Sequence, residues 1–350
     1  MTTGMKSLVR MAPLLLLFGL GSCEKTDDHI IVVEENITEP TTWYSGHIYV
    51  IKAWDFYVLA ELTIEQDVIV KFTEDGTTLS LSGEGSIMAR GTADKPIIFT
   101  SYKDDDHGGD TNGDLDASAP GMGDWQKINT NGTDGSAFVY CHFLYGGKNQ
   151  VATLSVSAGS VATVENCLFA FNDGTWSDEG ALDCSYAGAG TLVRSNVFYG
   201  NIKALSINTA MSLDNSNRFH NPDNQSVVNA FQCIFVDTRD TDVDIRWEET
   251  EVALVINDTD LWLAATWTLG DGVVLKFMEH NQITYEIGLG SIENHNGTGV
   301  YFTSYKDDAR LGDSNGDKGL TSPEEGDWRG IRDNATGNWF DWENILYDRH

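Results

Sequence analysis

The sequence predicts an all-β fold in which short strands stack as a solenoid or a tandem array. Three observations carry that expectation. From Thr41 onward, short runs rich in Val, Ile, Leu, Thr and aromatic residues are separated by Gly, Asp and Asn, and no stretch holds a convincing helical period. The series Leu62-Thr63-Ile64, Val68 to Phe72, Thr78 to Leu81, Gly85 to Ala89 and Pro96 to Thr100 returns as Trp267-Thr268-Leu269, Val273 to Phe277, Ile283 to Tyr285, Gly290-Ser291-Ile292 and Val300 to Thr303. The offset is 205 residues at first and 203 after a two-residue deletion. Between the copies a smaller unit, Cys/Asn-x-Phe, ends at Phe143, Phe169, Phe198, Phe219 and Phe235. Its spacing, mostly 21–29 residues, is about one turn of a coil. A sandwich or a propeller would call for hairpin signals, and Asn-Gly turns between strands are few.

Taken in order, residues 1–22 read as a leader rather than as fold. Lys6 and Arg10 form a short basic region, Leu14 to Leu20 an apolar core too short to span a membrane, and Leu20-Gly21-Ser22-Cys23 closes it. That ending resembles the lipobox of bacterial lipoproteins, which implies cleavage before Cys23 and lipid attached to that cysteine. Residues 23–40 follow as an acidic tether, and Glu24-Lys25-Thr26-Asp27-Asp28 is similar to the surface-export tag of some Gram-negative lipoproteins. The formal net charge of −31, from 53 acidic and 22 basic residues, disfavours nucleic acid and anionic surfaces and suits a cation-loaded extracellular protein.

Residues 41–246 hold the first copy and the Cys/Asn-x-Phe coils; residues 247–350 hold a second, shorter copy. Strand residues i and i+2 share a face, so stacked coils align Phe143, Phe169, Phe198 and Phe219 as an interior ladder. Asn172 and Asn201, three residues after their Phe, fall at corners where left-handed backbone is tolerated. Apart from Cys23, the cysteines are Cys141, Cys167, Cys184 and Cys233. An oxidising envelope permits disulfides among them in any of three pairings, and no Cys-x-x-Cys or His-rich spacing points to zinc.

Each copy carries one acidic excursion, without insertion or deletion between them, that leaves an apolar strand and returns at Gly-Asp-Trp. Asp110-Thr111-Asn112-Gly113-Asp114 and Asp313-Ser314-Asn315-Gly316-Asp317 set oxygen ligands at alternate positions, with a Gly for the sharp turn. Hard Ca²⁺ takes six to eight oxygens, and the first half of an EF-hand loop uses the same alternation. The candidate calcium ligands are Asp110, Asn112, Asp114 and Asp116 in the first loop, and Asp313, Asn315, Asp317 and Glu324 in the second. A full EF-hand is not matched: Leu115 and Lys318 stand where Gly is expected, Gly121 replaces the late carboxylate, and no helical pattern flanks either loop. The bland alternative is a solvated acidic turn.

The phrases LTIEQDVIVKF, GSIMARGTADKPIIFTS and GDTNGD…GDW, together with the Asn-x-Phe coils, resemble right-handed parallel β-helix proteins of bacterial surfaces in the broad pectate-lyase-like superfamily. The resemblance covers about Thr41 to Tyr347. It implies a right-handed helix, either as one solenoid or as two, lipid-anchored at the outer membrane and displayed on the cell surface. Its motifs are specific for the fold and poor for activity. The function expected is a calcium-binding module that recognises glycan or a surface protein without catalysis; the alternative is a polysaccharide lyase or glycoside hydrolase. A pectate lyase spreads its carboxylates over successive coils, whereas here they crowd one loop, and Lys103 and Lys306 beside them fit strand-end salt bridges. Asp104-Asp105-Asp106-His107-Gly108 is superficially similar to a pectin-hydrolase site, but Ala309-Arg310 replaces Asp106-His107 in the second copy. No catalytic residue is assigned. Trp43, Tyr44, Trp54, Tyr57, Trp262, Trp267, Trp339 and Trp342 could stack on sugars, though core packing is favoured for each. Tyr57 and Trp262 match across the copies as core positions would, and Trp125 and Trp328 plug the space beneath the loops.

Overall fold

The computed structural model describes residues 29–73, 77–174, 179–237, 242–257 and 260–349. The segments expected as leader and lipid attachment site, Cys23 included, and the start of the expected tether lie outside the described residues. The rest is all-β, with stacked parallel strands. A seven-stranded sheet I runs from Ile30–Val33 through Ile48–Ile51, Ile69–Phe72, Ile97–Ser101, Cys141–Leu144 and Leu168–Ala170 to Val197–Tyr199. A ten-stranded sheet II runs from Asp55–Val58 to Tyr301–Ser304, and a six-stranded sheet III from Thr41–Trp43 to Leu192–Arg194. Up to Leu205–Asn208 the chain visits II, III and I in turn, and strands stack in parallel on those a coil earlier, as in the register Phe143↔Phe169 and Phe169↔Phe198; His220–Asn221 and Asn224–Val228 form a separate antiparallel pair. Ile30–Val33 already pairs with Ile48–Ile51. These four apolar residues thus form a rung within the span expected as tether, where the acidic residues around them masked the strand.

Sheet II passes through both copies, which therefore form one continuous stack. Two three-stranded sheets complete the second copy: Ile245–Trp247, Thr266–Leu269 and Ser291–Glu293, and Asp260–Leu263, Gln282–Tyr285 and Gly330–Asp333. The winding has advanced by one side between the copies. Val274–Phe277 and Tyr301–Ser304 stand in sheet II, whereas their counterparts Ile69–Phe72 and Ile97–Ser101 stand in sheet I.

Alternation within each strand fills the interior, with Phe56 and Val58, Leu62 and Ile64, and Val70 and Phe72 all buried. Phe143, Phe169, Phe198 and Phe219 stack as expected, at centroid distances of 4.7, 5.0 and 5.4 Å, and Phe99 extends the ladder at 5.0 Å from Phe143. Phe235 does not join it. Ile234 and Val236 face the core there, and Cys233 and Phe235 belong to a separate cluster.

Asn172 and Asn201 do sit at corners, but the left-handed residue is the one before each, Phe171 (φ 58) and Gly200 (φ 66). The asparagines are fully buried and form a ladder of their own. Asn172 Nδ2 donates to Asn201 Oδ1 (2.9 Å) and Asn201 Nδ2 to Asn229 Oδ1 (2.9 Å), while Asn172 Oδ1 accepts the Gly146 N–H (2.8 Å). A second corner reads Cys141, Cys167, Asn196, Asn217, with the Cys167 N–H donating to Asn196 Oδ1 (2.9 Å) and Asn196 Nδ2 to Asn217 Oδ1 (3.1 Å). Cysteine is thus the apolar substitute for asparagine at this corner. All four cysteines are buried and none forms a disulfide, so none of the three pairings left open is made.

One buried carboxyl runs against this pattern. Glu249 is 1% exposed; its Oε1 accepts the N–H groups of Thr250 (2.9 Å) and Glu251 (2.7 Å), and its Oε2 has no partner. Burial pushes it from its ordinary 4.5 up to about 7.

Truncating the phenylalanine ladder by Phe169→Ala should cost about 3–5 kcal/mol in denaturant unfolding; a loss near zero would contradict the stack. Glu249 gives the second expectation. Its folded pKa lies above its unfolded one, so its contribution is most favourable below pH 4.5 and declines as pH rises towards 7. Between those limits the wild type should lose about 3 kcal/mol relative to Glu249→Gln. Parallel pH–stability curves for the two proteins would refute it.

Candidate metal centres

Each acidic loop is built on a lysine from the sheet beneath it. Val70 and Phe72 face the core, so Lys71 between them points outward, yet it is fully buried. Lys71 Nζ donates to Asp104 O (2.7 Å), Gly109 O (2.9 Å) and Thr111 Oγ1 (3.0 Å). In the second copy Lys276 Nζ donates to Gly312 O (2.9 Å) and Ser314 Oγ (2.7 Å). Burial lowers both ammonium groups, Lys276 to about 8, against the opposing pull of nearby carboxylates and, at Lys276, of Cys233. This role is not legible from residue type, because a lysine within a strand reads as a solvent-facing residue.

The ends of each loop are clamped alike. Asp104 is buried and accepts from Thr100 Oγ1 (2.5 Å) and His107 Nδ1 (2.7 Å); Asp307 accepts from Thr303 Oγ1 (2.8 Å) and Arg310 Nη1 (2.8 Å). His107 and Arg310 therefore perform one task, holding a buried aspartate. At the exit, Asp124 accepts from Ser101 Oγ (2.7 Å) and pairs with Lys103 (3.2 Å), while Asp327 accepts from Ser304 Oγ (2.6 Å) and pairs with Lys306 (2.9 Å). Trp125 and Trp328 are buried beneath, stacked on Phe72 (4.2 Å) and Phe277 (4.1 Å), with indole N–H groups donating to Leu144 O and Leu346 O, both at 2.8 Å.

These clamps leave three carboxylates in each loop facing one another. Asp105, Asp110 and Asp114 bring oxygens within 4.8 Å of one another, and so do Asp308, Asp313 and Asp317. Asp105 and Asp308 were absent from the sequence-derived ligand set, since they lie outside the alternating motif; their recurrence 203 residues apart was the signal that could have found them. Asn112 and Asn315 brace the loop, each Oδ1 accepting the N–H two residues on, at 3.3 and 3.2 Å. Asp116 and Glu324 are exposed and are not among the carboxylates gathered in either group. Asp110 also accepts the N–H groups of Gly113 (2.7 Å) and Leu115 (2.9 Å), and Asp313 those of Asp317 (3.2 Å) and Lys318 (2.8 Å). Leu115 and Lys318 take positive φ, 58 and 60, at the position where Gly was expected.

Buried oxygens remain without partners within both groups: Oδ1 of Asp105, of Asp114 and of Asp308. Desolvation and then the facing carboxylate, Asp110 or Asp313, push Asp105 and Asp308 up. Asp317 is held down, first by the Thr321 hydroxyl. Converging oxygen-only donors with unfilled acceptor capacity fit a hard cation such as Ca²⁺, and the absence of sulfur or imidazole from the sets disfavours softer metals.

Outside the loops, Asp183 lies buried on sheet II and accepts from Ser155 Oγ (3.4 Å) and the Ser185 N–H (3.0 Å); burial pushes its carboxyl to about 6. The aromatic residues divide. Trp43 and Trp267 are core, while Trp342 packs against the core and stacks on His295 at 3.9 Å. Tyr57 and Trp262, expected in the core, are instead 39% and 45% exposed, and Trp54 is 66% exposed. The inward residues of those strands are Phe56 and Val58, and Leu261 and Leu263. No family model, curated protein or solved structure matches this chain.

Lys71→Met should leave two carbonyls and a hydroxyl beneath the first loop without their donor and cost about 1–3 kcal/mol. Thermal unfolding at pH 7 measures it, and an unchanged Tm would mean that the loop does not depend on the ammonium.

Proposed function

We propose that this protein is a lipid-anchored cell-surface module, a right-handed parallel β-helix similar to those of the pectate-lyase-like superfamily, which binds calcium in both acidic loops and recognises glycan or a surface protein without catalysis. The observation that carries the reading is the twin grouping of Asp105, Asp110, Asp114 and of Asp308, Asp313, Asp317, each with buried unpaired oxygen. In each loop these three would hold the ion, and Asn112 and Asn315 would brace it. A bound Ca²⁺ supplies the positive charge that crowded carboxylates otherwise lack. The right hand is the one expected of parallel β connections. The Leu20-Gly21-Ser22-Cys23 ending supports the anchor and the outer-membrane location. Exposed Trp54, Tyr57 and Trp262 offer aromatic faces of the kind that stack on sugar rings.

Calorimetric titration of the chelated protein should show about two calcium sites with dissociation constants of ~0.1–1 mM. At about 1 mM calcium a tight site in that range adds roughly 1.4 kcal/mol, seen as a few degrees of Tm lost on chelation and restored by Ca²⁺ but poorly by Mg²⁺. Asp110→Asn with Asp114→Asn should remove part of the response, and Asp313→Asn with Asp317→Asn the rest. No binding heat and no Tm shift would end the metal reading.

A further inference from the structure

The second loop does more than enclose its carboxylates. Leaving Tyr301–Ser304, it passes over Lys276 and lies back across the outer face of sheet II as far as the strand Cys233–Asp237. There the Gln232 N–H donates to Asp313 O (2.8 Å) and Cys233 Sγ to Ser314 O (3.4 Å). Beneath it Cys233, Phe235 and Val255 are buried, with Phe231, Met278 and Tyr305 packed against them. The fit is close: a Cβ on Gly312 would meet Gln232 Oε1 at 2.4 Å, and one on Gly316 would meet Phe231 Cζ at 2.9 Å. The matching Gly109 and Gly113 of the first loop have nothing within 4 Å.

The contacts that fasten the middle of this loop to Gln232, Cys233 and Lys276 come from Gly312, Asp313 and Ser314, inside the segment whose carboxylates converge. The strands underneath are held separately, by the rung registers Cys233↔Ala253 and Leu254↔Leu275. Repulsion among three carboxylates would thus act on the fasteners and leave the coil's own ladder intact.

We propose that the second loop is a cation-gated strap. Bound calcium keeps it closed over Cys233, Phe235 and Val255; loss of the ion releases it and uncovers the Cys233 thiol and the apolar face while the coil stays wound. This rests on the metal reading above. The first loop also rests on its sheet, where a Cβ on Gly108 would meet Ile48 Cδ1 at 2.7 Å, but the sheet I cysteine, Cys141, faces the core.

Pulsed N-ethylmaleimide alkylation of the full chain, with each cysteine located by peptide mass spectrometry, tests the proposal. Removing about 1 mM calcium with a chelator should speed Cys233 labelling about tenfold, the factor by which a ~0.1 mM site holds the strap closed. Cys141, Cys167 and Cys184 face the interior and should not change. Asp313→Asn with Asp317→Asn, which removes both the ion and the repulsion, should make the Cys233 labelling rate insensitive to calcium, whereas Asp110→Asn with Asp114→Asn should leave its calcium response intact. Calcium binding is measured calorimetrically on the same samples. Binding heat without a change at Cys233 overturns the strap and leaves the metal reading standing. Acceleration at all four cysteines means global opening and also overturns the strap. Absence of binding heat overturns both.

Discussion

The backbone hydrogen bonds that join each rung to the next parallel rung are the constraint on which the rest of this molecule depends. In-register parallel pairing places residues of equal position directly above one another, at the ~4.8 Å spacing of neighbouring strands. Whatever occupies a position must therefore stack on its own kind. Phenylalanine does so from Phe99 to Phe219, with ring centroids 4.7–5.4 Å apart. The corners face a harder demand, since a turning backbone presents N–H and C=O groups that cannot all stay in the ladder and are costly to bury unpaired. Asn172 and Asn201 meet it by giving one side-chain amide hydrogen to a carbonyl of the preceding coil and the other to the asparagine oxygen of the following one, while their own oxygens accept from the preceding coil.

Insertions are tolerated where the ladder can resume undisturbed, and both acidic loops enter between one strand and the next. Burying a lysine under such a loop is costly unless its ammonium finds oxygen. Lys71 and Lys276 each find backbone carbonyl and hydroxyl oxygen, and the surrounding aspartates supply a favourable field. His107 and Arg310 answer Asp104 and Asp307 in the same way, and Lys103 and Lys306 answer Asp124 and Asp327. The chain thereby meets the acids at each end of the loop with its own side-chain donors. Of the three gathered carboxylates, Asp110 and Asp114, and likewise Asp313 and Asp317, are met by backbone N–H groups, hydroxyls or an asparagine amide, whereas Asp105 and Asp308 keep an unpaired oxygen, which is where the proposed ion would act.

The advance of the winding by one side separates the fates of two similar sequences. One loop lies over sheet I and the other over sheet II, so equal motifs rest on different neighbours. Tyr57 and Trp262 illustrate the converse. Each stands on the terminal strand of its own sheet, where the outer face has a neighbour on one side only, and both remain exposed in spite of their matched positions.

The sequence by itself determined the strand period, the duplication, the phenylalanine ladder and the plugs at Trp125 and Trp328, because these follow from side-chain size and local alternation. Tertiary structure decided which side of each strand is outward and what covers it. An alternating pattern distinguishes two faces only when one of them is polar, and beneath the loops both faces are buried. For that reason Lys71, Lys276, Cys233 and Phe235 could not be placed from the sequence. The left-handed corner fell on Phe171 rather than Asn172 for a related reason. The asparagine side chain was needed for the next coil's hydrogen bond, and only the stacked coil makes that demand.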